Sequence, residues 1–174
     1  MKSKLSNKND GSLILHVITG LGDGGAEGVL YRLCLHDKSF THVVVSLSNE
    51  GKYGERLKRI GVPVYCLHMK PKRIGLLLWF KLIKIIRNYN PDIVQTWMYH
   101  ADFVGGVCSK IAGVKKVFWG VRSSSLQTGE SKFFTIVIAR ILAILSWILP
   151  DMIILCARSA ADFHKSIGYN QSKF

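Results

Sequence analysis

The sequence offers its first candidate for chemistry in a glycine-rich loop at residues 20–25. This loop reads GLGDGG and matches the letters of G-x-G-x-x-G, between a short apolar run and a segment with helical spacing. Glycines at such a position let the backbone approach a ligand, and the N-terminus of the following helix offers unpaired N–H groups to a phosphate. We therefore predict a phosphate site that includes Gly22, Gly24 and Gly25.

Two other interpretations of this loop stay open. The NAD(P)-binding domain of an oxidoreductase has the same glycine pattern, with an acidic residue about 20 positions later, at the end of the second strand, that holds the ribose. Here the second predicted strand ends in the sequence SLSN at 46–49, and the first acidic residue after it, Glu50, lies a few residues beyond the position expected for the ribose contact. This weakens the oxidoreductase interpretation. The other alternative is a tight turn without a ligand.

Polar residues also follow two later strands of the predicted sheet. His100 comes after the fourth strand, at or next to the start of a helix, where the helix dipole disfavours protonation of the imidazole. Arg122 and Ser123 follow the fifth strand, and an arginine beside hydroxyls can bind a phosphate or a sugar through charge-assisted hydrogen bonds. Ligands of open α/β sheets lie beyond the carboxyl ends of the strands, so we predict ligand contacts here. As alternatives, His100 is a capping or surface residue and the serines cap the next helix.

These residues have to be positioned by an alternation of strands and helices that runs through the chain. The predicted strands are 13–18, 42–47, 62–67, 92–96, 116–121 and 152–155, and the predicted helices are 26–36, 53–60, 74–88, 101–112, 133–149 and 159–167. Such an alternation gives parallel pairing through right-handed crossovers. We therefore predict an α/β domain over residues 12–174, with a doubly wound, mostly parallel, Rossmann-like sheet, after a disordered lead-in at 1–11.

The charge of the chain restricts its partners. The 174 residues carry a formal net charge of +13 at pH 7, so an anionic partner is expected. An arginine-rich recognition helix, a zinc-binding Cys/His pattern and an aromatic RNA-binding strand are all absent from the sequence, so we predict neither a nucleic acid partner nor a metal. Lys81, Lys84 and Arg87 share a helix with apolar residues, which predicts contact with an anionic membrane surface. An ordinary surface helix fits this pattern equally well.

The long apolar segment 133–149 has Arg140 as its only charged residue. Its length is at the lower limit for crossing a bilayer, and it lies between two strands of the same sheet, so we predict a buried or membrane-resting helix. Four scattered cysteines fit a reducing compartment better than a disulfide framework, and the N-terminus lacks the apolar core of a signal peptide. We therefore predict a cytoplasmic protein, peripheral on the inner face of the membrane.

Four segments, in this order along the chain, resemble the family-4 glycosyltransferases of the GT-B fold. They are the strand and GGAE-containing loop at 14–27, the sequence PDIVQTW at 91–97, VFWGVRSS at 117–124 and PDMIILCA at 150–157. The family's second domain, with its nucleotide pocket and E-x7-E motif, has no counterpart in the sequence. The resemblance therefore implies the N-terminal domain of such an enzyme, truncated and incomplete at its C-terminal end.

The resemblance implies retaining transfer of a sugar from a nucleotide diphosphate sugar, which is a substrate and not a cofactor, to a lipid-linked or polysaccharide acceptor of the bacterial envelope. The N-terminal domain mostly holds the acceptor, and Gly24 and Gly25 would face the donor phosphates. Many relatives have a histidine after the fifth strand that contacts the donor sugar. Arg122 stands there in this chain, so a phosphate contact is implied instead, and His100 is a weaker match. Without the second domain we expect no activity, and a non-catalytic membrane- or partner-binding module remains an alternative.

Overall fold

The computed structural model describes residues 12–69, 75–122 and 133–174. The strands are β1 Leu13–Ile18, β2 Thr41–Ser46, β3 Val64–Cys66, β4 Ile93–Trp97, β5 Lys116–Val121 and β6 Met152–Leu155. The helices are α1 Gly25–His36, α2 Gly51–Arg59, α3 Leu76–Tyr89, α4 Tyr99–Ala112, α5 Phe133–Leu145 and α6 Arg158–Ser166, followed by a 3₁₀-helix at Gln171–Lys173. Strands and helices alternate along the described chain as predicted. The lead-in predicted at 1–11 lies outside the described residues.

The strands form one sheet in the order β3-β2-β1-β4-β5-β6, and every neighbouring pair is parallel. The predicted doubly wound, Rossmann-like sheet is therefore confirmed, and it is parallel throughout. The order reverses at β1, which pairs with β2 on one side and with β4 on the other. At such a switch point the chain leaves the two strands toward opposite faces, and a crevice opens at their carboxyl ends.

Helices cover both faces of the sheet. Side chains of α1 and α2 form one hydrophobic cluster with the strands, and side chains of α3, α4 and α5 form the other. Successive strand residues point to opposite faces, so Ile18 of β1 belongs to the α1–α2 side and Val17 to the α4 side. Because both faces are covered, the strands are apolar almost continuously instead of alternating.

Helix α4 approaches the sheet very closely. A Cβ atom added at Gly105 would lie 2.8 Å from Thr96 Cγ2 and 3.1 Å from Val17 Cβ, and one added at Gly106 would lie 2.9 Å from Trp119 Nε1. Small residues on α4 therefore permit the close packing of this helix on the sheet. This approach fixes the N-terminus of α4 directly beside the end of β4.

Helix α5 is shorter than its apolar sequence predicts. It ends at Leu145, after which Trp147 and Ile148 donate to carbonyls three residues back and form a tighter turn. Pro150 follows, and a residue before proline is disfavoured in α-helical geometry. Among the residues that the structure describes, no helix has both the length and the apolar character needed to cross a bilayer.

Candidate functional site

A cavity of about 720 Å³ opens at the carboxyl ends of the central strands, at the switch point of the sheet. Its size is typical of small-molecule sites, which span roughly 300–1,000 Å³. Residues from the glycine loop, the starts of α1 and α4, and the ends of β5 and β6 contribute to it. The lining residues are Thr19, Gly24, Gly25, Ala26, Glu27, Val29, Met98, Tyr99, His100, Arg122, Thr135 and Cys156.

The glycine loop places the N-terminus of α1 at this cavity. Gly24 is the N-cap residue of α1 and makes no side-chain capping bond, so the first N–H groups of the helix have no such partner. Of the three glycines predicted to bind phosphate, Gly24 and Gly25 line the cavity, whereas Gly22 is exposed and is not among the lining residues. The buried Leu21 anchors the loop, because its carbonyl accepts a 3.0 Å hydrogen bond from the Tyr53 amide of α2.

The carboxylate of Glu27 lies over the same loop. Its oxygens are the nearest atoms to Cβ positions built at both Gly22 and Gly24, and the residue lines the cavity. A carboxylate in the first turn is stabilised by the helix dipole. The Glu27 carboxylate therefore lies close to the start of α1, and a side chain at Gly24 would collide with it.

His100 lines the cavity from the first turn of α4. Burial lowers the pKa of its half-buried imidazole, so the ring is neutral at neutral pH and can donate or accept a hydrogen bond. The residue that turns the chain into α4 is Met98, whose φ of 72° and ψ of 155° are unusual for a residue with a side chain. Strained backbone of this kind concentrates at functional sites.

Arg122 reaches the cavity from the end of β5. Its guanidinium carbon lies 4.7 Å from the centre of the Trp97 ring, which is a cation–π contact. Its Nε atom is buried and has no hydrogen-bond partner among the described residues, and burial lowers the pKa of the group. A desolvated cation with an unused donor is suited to an anionic ligand. Ser123, predicted beside it, lies outside the described residues.

The structure adds residues that the sequence did not single out. Thr19 follows β1, lines the cavity and has a buried Oγ1 without a partner among the described residues. Tyr99 also lines the cavity, and its hydroxyl is 2.7 Å from Nε2 of the buried His164 on α6. Thr19 directly precedes the glycine loop, which was a usable signal. Tyr99 and His164 are 65 positions apart, so no local pattern indicates their contact.

The predicted basic residues lie away from the cavity, on α3. Lys81 and Lys84 are exposed, and Arg87 donates a 3.2 Å hydrogen bond to the Ile111 carbonyl at the end of α4. Apolar side chains lie on both sides of α3, because Leu78, Leu82 and Ile86 are buried and others are exposed beside the cations. The most exposed apolar side chains of α3 precede the cations on the same outer surface, namely Leu76 at 77%, Phe80 at 68% and Leu77 at 66% exposure.

Three buried side chains on the α1–α2 side could supply ligands to a metal. One nitrogen each from His16 and His42, together with the Cys34 sulfur, lie within 4.8 Å of one another. No spacing along the chain indicates this cluster, because its members come from β1, α1 and β2. Burial raises the pKa of the Cys34 thiol to about 12, so this sulfur is protonated at neutral pH.

A family model described as Glycosyltransferase Family 4 matches residues 23–174 of the chain. The match begins within the glycine loop and includes the lining residues that follow β4, β5 and β6. The family recognised from the four sequence segments is therefore confirmed. No curated protein matches the chain.

Several solved structures share the fold at low sequence identity. A UDP complex of HepE from Anabaena has a TM-score of 0.73 and 18% identity, over 92% of this chain and 42% of its own. A UDP complex of MnaA from S. aureus has a TM-score of 0.68 and 16% identity, over 93% of this chain and 43% of its own. MurG from Acinetobacter baumannii has a TM-score of 0.58 and 12% identity, over 86% of this chain and 42% of its own. The chain thus spans about two fifths of the length of these proteins.

Proposed function

The chain belongs to glycosyltransferase family 4, and on this basis we propose that it is the acceptor-side domain of a retaining glycosyltransferase. The enzyme would move a sugar from a nucleotide diphosphate sugar to a lipid-linked or polysaccharide acceptor. The observation that carries the proposal is the convergence of the α1 N-terminus, Thr19 and Arg122 on one cavity. The crystal complexes of HepE with UDP and with UDP-glucose support a nucleotide sugar as the ligand class.

Each group in the cavity has a proposed role. The N–H groups at Gly24 and Gly25 and the Arg122 guanidinium bind the donor diphosphate, which carries negative charge that both can stabilise. His100, neutral and able to donate or accept, contacts a sugar hydroxyl of the acceptor or the donor. Since the chain spans two fifths of the length of HepE, we infer that transfer itself requires a second domain that completes the donor pocket.

Calorimetric titration of the chain with UDP and UDP-glucose tests this proposal. Arg122→Ala should weaken binding by about tenfold or more, because a hydrogen bond to a charged group is worth ~1.5–3 kcal/mol. Arg56→Ala is the matched control, since Arg56 lies 5.2 Å over the Tyr53 ring but not in the cavity. Equal affinities of the two variants for UDP would contradict the proposal. Tight NADH binding by the chain would favour the oxidoreductase alternative.

We also propose that the outer surface of α3 rests on an anionic membrane at the cytoplasmic face, where a lipid-linked acceptor is available. Leu76, Leu77 and Phe80 are exposed apolar side chains next to Lys81 and Lys84. The joint presence of apolar and cationic groups on one surface favours an interface between lipid headgroups and acyl chains. The four free thiols support a reducing compartment.

Flotation with vesicles of phosphatidylglycerol and of phosphatidylcholine tests the membrane proposal. Lys81→Gln with Lys84→Gln should reduce binding to the anionic vesicles by about tenfold or more, at ~1 kcal/mol for each charge. Lys52→Gln with Lys58→Gln removes the same charge from α2 and should change little. Flotation that is absent from the wild-type chain, or equal for both double variants, would contradict this part of the proposal.

A further inference from the structure

Trp97 forms the floor beneath Arg122. Its side chain is 1% exposed, and Arg122 lies over the indole face at 4.7 Å. The residue paired with Trp97 on β5 is Gly120, and a Cβ there would lie 3.8 Å from two indole carbons and 2.8 Å from the Thr96 carbonyl oxygen. The indole is therefore enclosed by neighbouring strands, and its outward face meets the guanidinium.

The indole of Trp97 donates a hydrogen bond to His16. Trp97 Nε1 lies 3.2 Å from His16 Nδ1. An indole N–H can only donate, so Nδ1 of His16 must carry the lone pair and the proton of the neutral ring must lie on Nε2. This Nε2 is 3.0 Å from His42 Nδ1 and donates to it. The contact with Trp97 thus fixes the tautomer of a histidine on the neighbouring strand.

The tautomer of His42 follows from that of His16. Because its Nδ1 accepts from His16, its proton lies on Nε2, which is 3.4 Å from Asp37 Oδ2. The two imidazoles stack with their centres 5.2 Å apart. Burial lowers the pKa of both rings, that of His16 to about 3, so both are neutral at neutral pH. One arrangement of protons therefore connects Trp97 to His42, whose buried Nε2 has no hydrogen-bond partner among the described residues.

We propose that Trp97, His16 and His42 are positioning residues for Arg122. The two histidines fix the orientation of the indole, and the indole holds the guanidinium at the cavity, where its charge can attract an anion. The identity of that anion, the donor diphosphate, rests on the proposed function. The orientation of Arg122 does not depend on the proposed function. None of the three residues needs to touch the ligand.

Metal binding at the His16–Cys34–His42 cluster is incompatible with this arrangement. A metal between the two imidazoles would need lone pairs on His16 Nε2 and His42 Nδ1, the atoms that now share a proton. If the His16 proton moved to Nδ1, this N–H would face the N–H of Trp97, and neither donor would have an acceptor. The tautomer of His16 thus distinguishes positioning from metal ligation.

The first experiment reads the tautomers by two-bond 15N–1H correlation spectroscopy on the ligand-free chain. The wild-type chain should show His16 protonated on Nε2 only. Trp97→Phe keeps a ring beneath Arg122 but removes the donor, and it should give a mixture of tautomers. Trp119→Phe is the matched control, because Trp119 is equally buried and its Nε1 has no partner among the described residues. Protonation of wild-type His16 on Nδ1, or a tautomer switch on addition of Zn²⁺ alone, overturns the proposal.

The second experiment measures the affinity for UDP of variants at Trp97, Trp119 and Arg122. Trp97→Leu, which removes the ring, should lower the affinity by about two- to fivefold, the equivalent of a cation–π contact at a partly exposed site. Trp119→Phe should leave it unchanged. If Arg122→Ala weakens UDP binding and Trp97→Leu does not, the positioning proposal fails. If Arg122→Ala has no effect, the proposed function fails, and the tautomer measurement still decides whether His16 and His42 orient the indole.

Discussion

The two faces of the sheet each bury a polar cluster, and the two clusters are satisfied very differently. On the α1–α2 side, Trp97, His16 and His42 form a continuous chain of hydrogen bonds, at the end of which the buried His42 Nε2 has no partner among the described residues. On the α4 side, Asp102 accepts a 2.5 Å hydrogen bond from the Thr96 hydroxyl, but its Oδ2 atom has no partner among the described residues. Trp119 Nε1 and the Tyr169 hydroxyl, buried on that side, also lack partners within the described chain.

Burial gives the two faces opposite responses to pH, because the buried group is a base on one face and an acid on the other. Burial lowers the pKa of His16 to about 3, so its contribution to stability is fully present above its ordinary pKa of 6.5 and is lost as the pH falls toward 3. Burial raises the pKa of Asp102 to about 7, so its contribution is present below 3.8 and is lost as the pH rises through 7. Between pH 4 and 6.5 the two effects oppose each other.

The largest expected effect follows from removing the centre of the satisfied cluster. His16→Ala leaves the Trp97 N–H and His42 Nδ1 unpaired in the core, and it also creates a cavity. We expect a loss of about 2–4 kcal/mol in the free energy of unfolding, measured by urea denaturation at pH 7.5. His36→Ala, at an exposed position of α1, is the control. A loss below about 1 kcal/mol would mean that the hydrogen-bonded chain contributes little.

The next largest effect is expected from a substitution that separates α4 from its side of the sheet. Gly105→Ala brings a methyl group against Thr96 and Val17, whose branched side chains cannot turn away. We expect a loss of about 1–3 kcal/mol in the free energy of unfolding. Gly75→Ala, where nothing lies within 4 Å of the added atom, should cost much less. Equal stability of the two variants would show that α4 can move outward freely.

A smaller effect concerns the slope of stability with pH. Asp102→Asn removes the group whose stabilising contribution is lost as the pH rises from 4 to 7. The stability of the variant should therefore rise with pH more steeply than that of the wild type, by up to about 1.4 kcal/mol per pH unit. Denaturation series at pH 4.5, 5.5 and 6.5 measure this slope. Parallel curves would indicate that Asp102 is ionised throughout and that its burial is compensated.

The smallest expected effect is the difference in stability between variants of two buried indoles, one on each face. Trp97→Phe removes a paired N–H and leaves His16 Nδ1 without its donor, so we expect a loss of about 1 kcal/mol. Trp119→Phe removes an N–H that has no partner within the described residues, and its cost should be close to zero. Thermal unfolding at one pH measures both variants. An equal cost would mean that packing of the ring, and not the hydrogen bond, dominates at both positions.

The sequence predicted most of the fold and part of the site. Short apolar strands alternating with helices were sufficient to predict the sheet. Four residues predicted as ligand contacts, Gly24, Gly25, His100 and Arg122, line one cavity. The end of α5 was placed four residues too late, because its apolar sequence continues while Pro150 and tight turns end the helix. The presence of cations and apolar residues on α3 was readable from the sequence, but the exposure of Leu76, Leu77 and Phe80 was not, because burial depends on how the helix packs.

What the sequence determined by itself is local. A glycine loop between a strand and a helix exposes N–H groups wherever it occurs, and this follows from backbone geometry alone. Tertiary structure decided what stands beside that loop. Strand register brought Trp97 under Arg122 and next to His16, which is 81 positions away along the chain, and close packing enclosed Asp102 without a full set of partners. Burial and hydrogen-bond pairing at such distances depend on the folded arrangement, so protonation states at the site were beyond the reach of sequence patterns.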